Sequence, residues 1–321
     1  MHKKKILVTG TGGFIFSNFI RRAIFSKSPY TFVSIDKVQK SNAINNVYTN
    51  KNHKFYIGDI ADAHFVNVIF EVERPDIVIH AAAESFVDAS IANASPFILS
   101  NVLGTQIITD ACVRWGIERM IYISTDEVYG HLENEDEPSW TEKSPIKPRN
   151  PYSASKAAGE LLVKAAHETH GLNYNITRSC NNYGPRQATE KFIPKIIQNI
   201  LSNKKMPVYG QGLQVRDWMH VFDNCDAVLK ILSDGELNET YNIAANQEFS
   251  NIEVFQEVCN VLGRGYDLIE FVPDRPGHDF RYSINASKIK KLDWTPFYKF
   301  RDGLSQTVQW YVNNQWLFRL S

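Results

Sequence analysis

The sequence predicts an α/β fold, with a doubly wound parallel sheet followed by a smaller and less regular C-terminal α/β portion. In the first half of the 321-residue chain, short apolar runs alternate with amphipathic stretches of helical period. Such alternation is typical of parallel sheets that helices cover on both faces. Beyond Arg178 this regularity is lost, and Asn, Gly and Pro become frequent.

Apolar runs that end in a small or polar residue are predicted as the parallel strands. They are Lys5–Thr9, Thr31–Ile35, Lys54–Ile57, Ile77–His80 and Met120–Ile123. The helices predicted among them are Phe14–Phe25, Ala63–Glu73, Pro96–Trp115 and Tyr152–His170. The acidic, proline-containing stretch from Glu133 to Asn150 is predicted as a loop. Ligands of doubly wound sheets bind beyond the carboxyl ends of the strands, so a site is expected at that edge.

Composition and charge argue against several classes of protein. The 35 basic and 35 acidic residues balance, so no net field attracts nucleic acid or an anionic membrane. We expect no apolar stretch that approaches the roughly 20 residues of a membrane span. With no signal peptide before Ile6, a cytoplasmic location is expected. The four cysteines lack the spacing of metal ligands, which predicts free thiols and no metal site.

A glycine-rich turn joins the first predicted strand to the first predicted helix. Gly10 and Gly13 permit a tight turn in which a pyrophosphate approaches the N–H groups at the helix start, near Phe14 and Ile15. A strand–helix turn without a ligand would share this pattern. Phe16 stands where a third glycine normally lets helix and strand pack closely. Its ring must enter a pocket or push the helix away, which leaves the affinity for a dinucleotide open.

Residues after the next three strands complete a dinucleotide site of the Rossmann type. Asp36, followed by Lys37, ends the second strand. A carboxylate there accepts both ribose hydroxyls and repels the 2′-phosphate of NADP, which predicts NAD. Asp59 and Ile60 follow the third strand and suit the adenine edge. After the fourth strand, small residues let a cofactor pass close to the backbone, namely Ala81, Ala82 and Ala83.

Two further patterns indicate chemistry at the same edge. Tyr152 and Lys156 lie one helical turn apart, so an ammonium can stabilise a phenolate and lower the tyrosine pKa from about 10. Such a tyrosine takes a proton from an alcohol as hydride leaves the same carbon. Thr125, Asp126 and Glu127 follow the fifth strand, and adjacent carboxylates whose pKa values are pushed apart supply an acid and a base. Either pair alone also occurs on ordinary protein surfaces.

From Ile6 to about Lys291 the chain resembles the extended short-chain dehydrogenase/reductases, and among them the nucleoside-diphosphate-glucose 4,6-dehydratases. The segments that carry the resemblance are Ala83–Ser85, Ser124–Gly130, Tyr152–Lys156, Asn181–Pro185, Glu190–Pro194, Arg216–Trp218 and Asp274–Asp279. The resemblance implies a hydro-lyase that uses NAD to convert dTDP-glucose, or alternatively UDP-glucose, into a 4-keto-6-deoxy sugar, as in rhamnose biosynthesis. It also implies a homodimer that pairs through the helices at 96–115 and 152–170.

The resemblance assigns roles to individual positions. Tyr152, supported by Lys156, would deprotonate the glucose 4-hydroxyl, and Thr125 would hydrogen-bond that oxygen. Glu127 would remove the C5 proton, and Asp126 would protonate the departing 6-hydroxyl. The cofactor would also meet Ser100 or Asn101, and Asn182. The residues implied for the nucleotide sugar are Ser85, Asn181, Lys191, Phe192, Pro207, Tyr209, Arg216, Asn246, Arg275 and His278.

The predicted domains are residues 1–180, with a return segment near 217–246, for NAD, and residues 181–321 mainly for the nucleotide sugar. Phe86 and Ala89 stand where the family often has His and Arg, and the loop between Gly130 and Tyr152 is short. These departures leave the substrate open. Two other classes stay as alternatives. One is a nucleotide-sugar 4-epimerase or decarboxylase, of which the epimerases need no acid/base pair after Thr125. The other is a non-catalytic nucleotide-sugar-binding protein that has lost NAD through Phe16.

Overall fold

The computed structural model describes residues 3–38, 43–134, 136–274 and 279–319. The strands in these ranges are β1 (Lys5–Thr9), β2 (Thr31–Asp36), β3 (His53–Ile57), β4 (Ile77–His80), β5 (Arg119–Thr125), β6 (Tyr174–Ser179), β7 (Asn181–Tyr183), β8 (Met206–Tyr209), β9 (Val215–His220), β10 (Glu239–Ile243), β11 (Glu248–Ser250), β12 (Ile269–Val272) and β13 (Arg281–Tyr282). The helices are α1 (Phe14–Phe25), α2 (Ala43–Asn46), α3 (Ala63–Glu73), α4 (Val87–Ala92), α5 (Ser95–Phe97), α6 (Gly104–Arg114), α7 (Pro151–His170), α8 (Phe192–Leu201), α9 (Val221–Asp234), α10 (Asn251–Leu262), α11 (Ser287–Lys290) and α12 (Phe300–Asn313). A π-helical segment, Ile98–Leu103, joins α5 to α6, and 3₁₀ turns cover Asp126–Tyr129 and Gln315–Arg319.

Seven strands form one parallel sheet in the order β10-β6-β5-β4-β1-β2-β3. The winding reverses between β1 and β4, and a crevice opens there at the carboxyl ends of the strands. The predicted α/β fold with a doubly wound parallel sheet is therefore confirmed. β10 joins the far edge of this sheet although it follows β9 of a different sheet, so the chain returns to the sheet late.

Alternation along β1 shows how helices cover both faces of the large sheet. Ile6 and Val8 point into one apolar layer, which they share with residues of α1 and α9. Leu7 points into the opposite layer, which includes residues of α3, α6 and α7. All three side chains are fully buried, as expected for a central parallel strand. The carboxyl end of β1 is thereby held rigidly at the edge where the glycine-rich turn begins.

A smaller set of elements lies beyond the strand ends. β9 pairs with β7, β11 and β13, and β8 pairs with β12. A third apolar cluster, in which α8, α10 and α12 take part, packs around Trp218 and Phe300. β7 begins two residues after β6 ends and pairs with β9. This short connection places Asn181 and Asn182 between the large sheet and the smaller layer.

The stretch from 133 to 150 has no helix or strand in its described part, as predicted, yet it is anchored. The N–H of Trp140 donates to the carbonyl of Ser283 at 3.0 Å, and the N–H of Asn285 donates to the carbonyl of Trp140 at 2.8 Å. The Trp140 ring stacks on Tyr129 with centroids 6.3 Å apart. The loop thus fastens the 3₁₀ turn after β5 to the chain that follows β13.

The expectation about apolar length is wrong for one helix. α5, the π-helical segment and α6 form a continuous helix, Ser95–Arg114, whose mean hydropathy and 20-residue length are those of a membrane span. Half of its apolar window is buried inside the protein. Asn101 and Thr105 lie on the buried side and form hydrogen bonds there, which is ordinary for a helix of a protein core. The described cysteines are all free, as predicted, and all are buried.

Phe16 resolves the question raised by the missing third glycine. Its ring is only 3% exposed and lies in the apolar layer between α1 and the sheet, 5.3 Å from the ring of Phe19. The ring therefore enters the core instead of pushing the helix away. Phe16 also borders the crevice at the strand ends.

Because Phe16 fills the core, restoring the glycine of the motif should destabilise the protein. We expect Phe16→Gly to lower the free energy of unfolding by about 3–5 kcal/mol, mostly from the cavity it leaves. Phe25→Gly on the same helix is the matched control, since Phe25 is 70% exposed and should lose only about 1 kcal/mol of helix propensity. Urea denaturation followed by circular dichroism measures both. Equal losses would contradict this account of Phe16.

Candidate active site

β5, the 3₁₀ turn that follows it and the chain around Lys147 meet at the carboxyl end of the strand. The strand is buried along its whole length and ends at Thr125, whose hydroxyl accepts a hydrogen bond from the N–H of Glu127 at 3.4 Å. This bond starts the 3₁₀ turn that carries Asp126 and Glu127. Gly130 ends the turn with φ +86°, and a Cβ there would come within 2.7 Å of the Lys147 carbonyl oxygen. The turn is therefore fixed from both ends.

The first turn of α7 is positioned by Asn150. Its side-chain oxygen accepts from the N–H of Ser153 at 2.8 Å, the Ser153 hydroxyl returns a bond to the Asn150 backbone, and Pro151 occupies the first helical position. The amide nitrogen of Asn150 lies 3.4 Å from Glu127 Oε2 and donates to it. One residue thus caps the helix that carries Tyr152 and also holds Glu127. Sequence reasoning missed Asn150, although Asn before Pro at a helix start is a recognisable signal.

The two adjacent carboxylates have different surroundings. Asp126 is 3% exposed, its Oδ1 accepts from the Thr125 hydroxyl at 3.2 Å, and its Oδ2 has no described partner. Burial, followed by the charge of Glu127, raises the pKa of Asp126 to about 8. Burial also raises the pKa of Glu127, but the Asn150 hydrogen bond and the charges of Arg216 and Lys191 oppose it. Burial therefore favours the protonated form of Asp126, while a hydrogen bond and two nearby cations favour the ionised form of Glu127.

Tyr152 and Lys156 face the same crevice. Burial and the Glu127 charge raise the pKa of Tyr152, so the predicted lowering of the tyrosine pKa is wrong for this structure. Burial lowers the pKa of Lys156 to about 7, which weakens the positive charge that a phenolate would need. The Lys156 ammonium lies 4.2 Å from the centre of the Tyr122 ring. The Tyr122 hydroxyl donates to the Lys156 carbonyl at 3.2 Å, so Tyr122 fixes the lysine at both ends.

A buried histidine ties the glycine-rich turn to the helix behind it. The Thr9 hydroxyl accepts from the N–H groups of Ala81 and Ala82, each at 3.0 Å, and lies 2.8 Å from His80 Nδ1. His80 Nε2 lies 3.0 Å from the Thr105 hydroxyl, which itself donates to a backbone carbonyl. Burial and the charge of Lys156 lower the pKa of His80 to about 3, so the imidazole is neutral and donates through Nε2. Sequence reasoning missed this network.

The turn itself is built for close approach. Gly10 has φ +81°, and a Cβ there would lie 2.7 Å from the Ala82 nitrogen. Only glycine fits that place without moving the backbone. Asp36 Oδ2 accepts from the N–H of Gly12 at 2.8 Å, and Oδ1 accepts from the N–H of Val38 at 2.8 Å. The carboxylate is thus oriented at the end of β2, with further lone pairs available for hydroxyl donors.

These segments enclose a cleft of about 660 Å³. The predicted residues that line it are Gly10, Gly13, Phe14, Ile15, Asp36, Lys37, Asp59, Ile60, Ala81, Ala82, Ala83, Ser85, Ser100, Thr125, Asp126, Glu127, Tyr152, Lys156, Asn181, Asn182 and Lys191. Lys37 pairs with Glu84 at 2.9 Å, and Lys191 Nζ donates to the Ser85 carbonyl at 2.9 Å. Asn101 does not line the cleft; its side chain supports the backbone of Glu84 instead. Lining residues that sequence reasoning did not assign include Gly12, Asn46, Ser124, Arg186, Gln187 and Glu190.

The remaining predicted residues lie outside the lining of this cleft or outside the described residues. Arg216 is buried, stacks 4.3 Å from the Tyr282 ring centre and donates to the backbone carbonyls of Val215, Asp279 and Phe280. Phe192 stacks on Trp218 with centroids 6.2 Å apart. Pro207 and Tyr209 lie on the exposed side of β8. Asn246 forms hydrogen bonds with Asp217 and Ile284. Arg275 and His278 lie outside the described residues.

The cleft has the features of a dinucleotide site. Gly10 and Gly13 line it, and the N-terminus of α1 opens onto it. Ser124 Oγ, Asn182 Oδ1 and Gln187 Oε1 are buried polar atoms of the lining, and none has a hydrogen-bond partner among the described residues. Buried polar atoms normally have partners, so a bound polar molecule is expected to supply them. The residues present therefore fit a dinucleotide such as NAD.

Comparison with known proteins gives the family. Residues 7–307 match the family described as GDP-mannose 4,6 dehydratase. The chain belongs to this family of extended short-chain dehydratases. It is 44% identical to the low-salt glycan biosynthesis protein Agl12 of Haloferax volcanii, over 96% of this chain and 99% of that protein. It is 42% identical to a dTDP-glucose 4,6-dehydratase of Streptomyces niveus, over 97% of this chain and 94% of that protein.

A solved structure of the family superposes closely. The dTDP-glucose 4,6-dehydratase DesIV of Streptomyces venezuelae, crystallised with NAD, has a TM-score of 0.93 and 40% identity to this chain. The superposition covers 99% of this chain and all of that one. The whole architecture is thus shared with a dehydratase that holds NAD, and the short loop after Gly130 does not disturb it.

The raised pKa of Asp126 should appear in the pH dependence of stability. The folded protein binds this proton more tightly than the unfolded chain, so stability falls as the pH rises from about 4 to about 8. Between about pH 5 and about pH 9 the free energy of unfolding should fall for the wild type. We expect it to fall by at least about 2 kcal/mol less for Asp126→Asn. Urea titrations at each pH measure this difference. The exposed carboxylate of Asp110 supplies the control, Asp110→Asn, which should follow the wild type; parallel curves for Asp126→Asn would refute the raised pKa.

Proposed function

We propose that this protein is an NAD-dependent hydro-lyase that converts dTDP-glucose into dTDP-4-keto-6-deoxyglucose and water, with UDP-glucose as the alternative substrate. The observation that carries the proposal is the pairing of Asp126 and Glu127, in unequal surroundings, beside Tyr152 and Lys156 in one cleft. The names of the relatives support the nucleotide and the sugar. A 4-epimerase would use the tyrosine and lysine but would leave the two carboxylates without a task.

NAD would lie along the glycine-rich turn, held by Gly10, Gly13, Phe14 and Ile15 at its pyrophosphate. The backbone N–H groups at the start of α1 favour an anion there. Asp36 would accept the ribose hydroxyls, and the other residues proposed for the cofactor are Lys37, Asp59, Ile60, Ala81, Ala82, Ala83, Ser100, Tyr152, Lys156 and Asn182. When bound, NAD accepts hydride from the sugar and returns it later in the same cycle. No external oxidant is then needed.

Tyr152 would remove the proton of the sugar 4-hydroxyl as the C4–H bond breaks. Its pKa is raised by burial and by Glu127, so the step depends on positive charge close to the phenol. Lys156 lines the same cleft and is held by Tyr122 at both its ammonium and its carbonyl. It would supply that charge in its protonated form, which burial leaves only partly populated near pH 7. Thr125 lies at the end of β5, and its hydroxyl, which donates to Asp126 Oδ1 in this structure, would turn to donate to the same sugar oxygen. The 4-ketone that results acidifies the proton on the neighbouring carbon, C5.

Glu127 would take the C5 proton, and Asp126 would give its proton to the departing 6-hydroxyl. The roles follow from the surroundings of the two groups. Asp126 is buried and has a pKa of about 8, so it carries a proton at neutral pH. Glu127 is only partly buried and accepts the Asn150 hydrogen bond, which favours its ionised form. An acid and a base with these environments can act on adjacent carbons of one substrate.

We propose that the nucleotide sugar reaches this site across Ser85, Asn181 and Lys191, which line the cleft. Arg216 lies close enough to act electrostatically on both carboxylates, although its described hydrogen bonds go to backbone carbonyls. The other residues proposed for the substrate are Phe192, Pro207, Tyr209, Asn246, Arg275 and His278. We also propose a domain division at about residue 180, with the return segment near 217–246, and a cytoplasmic protein that binds neither nucleic acid nor membrane.

A homodimer is proposed on the outer faces of the continuous helix Ser95–Arg114 and of α7. These helices pack side by side and carry exposed apolar side chains at Ile98, Leu99, Leu103 and Leu161. Leu99 is 54% exposed and Leu161 is 59% exposed. Contiguous exposed apolar side chains on neighbouring helices are typical of a contact surface between proteins. Two copies would bury these faces in a four-helix arrangement.

Replacement of the carboxylates should stop elimination and leave the first hydride transfer possible. We expect Asp126→Asn with Glu127→Gln to lower kcat by roughly 10³-fold or more, since each group contributes to proton transfer. The assay incubates enzyme with dTDP-glucose or UDP-glucose without added NAD and follows the alkaline absorbance of the 4-keto-6-deoxy product. The variant should show absorbance of reduced nicotinamide when substrate is added. Glu71→Gln, an exposed carboxylate of α3, is the control and should keep full activity.

Product from one nucleotide sugar, lost in the double variant, would name the substrate. No product from either, even with NAD supplied, would overturn the dehydratase. Full activity of the double variant would contradict the acid/base roles of the two carboxylates but would not contradict the dehydratase activity.

The proposed dimer can be tested by its apolar face. Leu99→Glu with Leu103→Glu should convert a particle of twice the 36.7 kDa chain mass into a monomer, because buried carboxylates without partners oppose association. Sedimentation velocity measures the mass. Leu237→Glu, at a loop position 47% exposed, is the matched control and should leave the dimer intact. A monomeric wild type, or a dimer that survives the double change, would contradict the proposal.

A further inference from the structure

A second cavity, of about 680 Å³, lies behind α1, between that helix, the segment around Arg186 and α12. Its described lining residues include Arg21, Arg22, Arg186 and Asp226. Of its described lining residues, only Arg186 also borders the catalytic cleft. The cavity is therefore separate from the catalytic groups and carries an excess of positive charge.

Only one of the three arginines of this cavity forms an ion pair with a carboxylate among the described residues. Arg22 forms a two-pronged ion pair with Asp226, so these two groups neutralise each other. Neither Arg21 nor Arg186 has an ion pair with a carboxylate among the described residues, and the main charge acting on Arg21 is that of Arg186. The remaining titratable group of the lining is His220, whose pKa burial lowers to about 3. Two neighbouring guanidinium groups thus face the cavity without a counterion in the described structure.

Both arginines are held in place by aromatic rings. Arg21 Cζ lies 5.2 Å from the centre of the Tyr48 ring, and its Nη1 donates to the Ser17 carbonyl at 3.2 Å. Arg186 Cζ lies 5.4 Å from the centre of the Trp310 ring. Arg186 also has a left-handed backbone with φ +73°, which is uncommon for a residue with a side chain. Stacked guanidinium groups keep their edge N–H donors available to a ligand.

Two partly buried guanidinium groups without a counterion are electrostatically unfavourable, and a bound anion would relieve this. Both arginines are half-buried, and burial together with the charge of Arg186 lowers the pKa of Arg21 to about 10. Charges withdrawn from water are normally paired, and like charges close together repel. A phosphate group offers several oxygens to two guanidinium forks and suits them better than a monovalent ion.

We propose that the cavity behind α1 is a second anion site, in which Arg21 and Arg186 together bind a phosphate group. A volume of 680 Å³ accommodates either inorganic phosphate or the phosphate of a small nucleotide. The proposal does not depend on the reaction in the cleft. The bound phosphate would be a partner for Arg186, which borders both cavities, on the side away from the catalytic carboxylates.

The test measures binding of inorganic phosphate and of dTMP by calorimetry, at constant ionic strength and on protein saturated with NAD. The wild type should bind phosphate saturably. Gln306→Glu puts a negative charge on an exposed position of the cavity wall on α12, so it should fold normally and weaken phosphate binding by about tenfold or more. Gln309→Glu, exposed on the same helix and outside the cavity lining, is the matched control and should bind as the wild type does.

Arg21→Gln removes one of the two guanidinium groups and should weaken phosphate binding as strongly, while kcat/KM in the dehydratase assay, measured at saturating NAD, stays unchanged. Tighter binding of dTMP than of phosphate, abolished by Gln306→Glu, would assign a nucleotide to the site; equal affinities would assign the inorganic ion. Absence of saturable binding by the wild type would overturn the proposal. Binding unaffected by Gln306→Glu and Arg21→Gln would also overturn it, because the phosphate would then lie in the catalytic cleft.

Discussion

Two adjacent carboxylates at the end of a fully buried strand impose the constraint on which the rest of this site depends. A buried carboxylate must be protonated, paired or hydrogen-bonded, and two side by side cannot both ionise cheaply. The structure meets this constraint unequally, because burial favours the protonated form of Asp126 and Glu127 accepts a hydrogen bond from the Asn150 amide. The proposed division of roles between acid and base rests on this asymmetry and not on the residue types alone.

The surrounding architecture keeps that asymmetry fixed. β5 is buried along its length, Thr125 starts the 3₁₀ turn, and the loop around Trp140 fastens the turn to the smaller layer. Asn150 joins the turn to the helix of Tyr152, so one amide positions both the proposed redox pair and the proposed acid/base pair. Tyr122, whose ring contacts the Lys156 ammonium, belongs to the same strand. In the proposed mechanism, the groups for hydride transfer and for elimination thus come from the end of a single strand and from the helix that follows it.

Local signals in the sequence predicted much of this. The bounds of α1 and α3 match the expectation because each has a strong apolar period and a clear start. The glycine-rich turn and Asp36 line the cleft, as their spacing after the first two strands predicts. The small strands β7, β11 and β13 were not predicted, since they are short and depend on partners distant in sequence. Asn150, His80 and Arg186 act through neighbours that spacing does not reveal. The raised pKa of Tyr152 was missed because burial is a property of the fold.

The central claim is that one cleft both moves hydride and eliminates water, with no loss of hydride to an external acceptor. The most direct measurement is the mass spectrum of the product formed from dTDP-glucose that carries deuterium at C4. Return of the same hydride within one active site predicts that the deuterium remains in the product, at C6. A product without deuterium, formed at an undiminished rate, would show that the hydride leaves the cleft and would contradict the account.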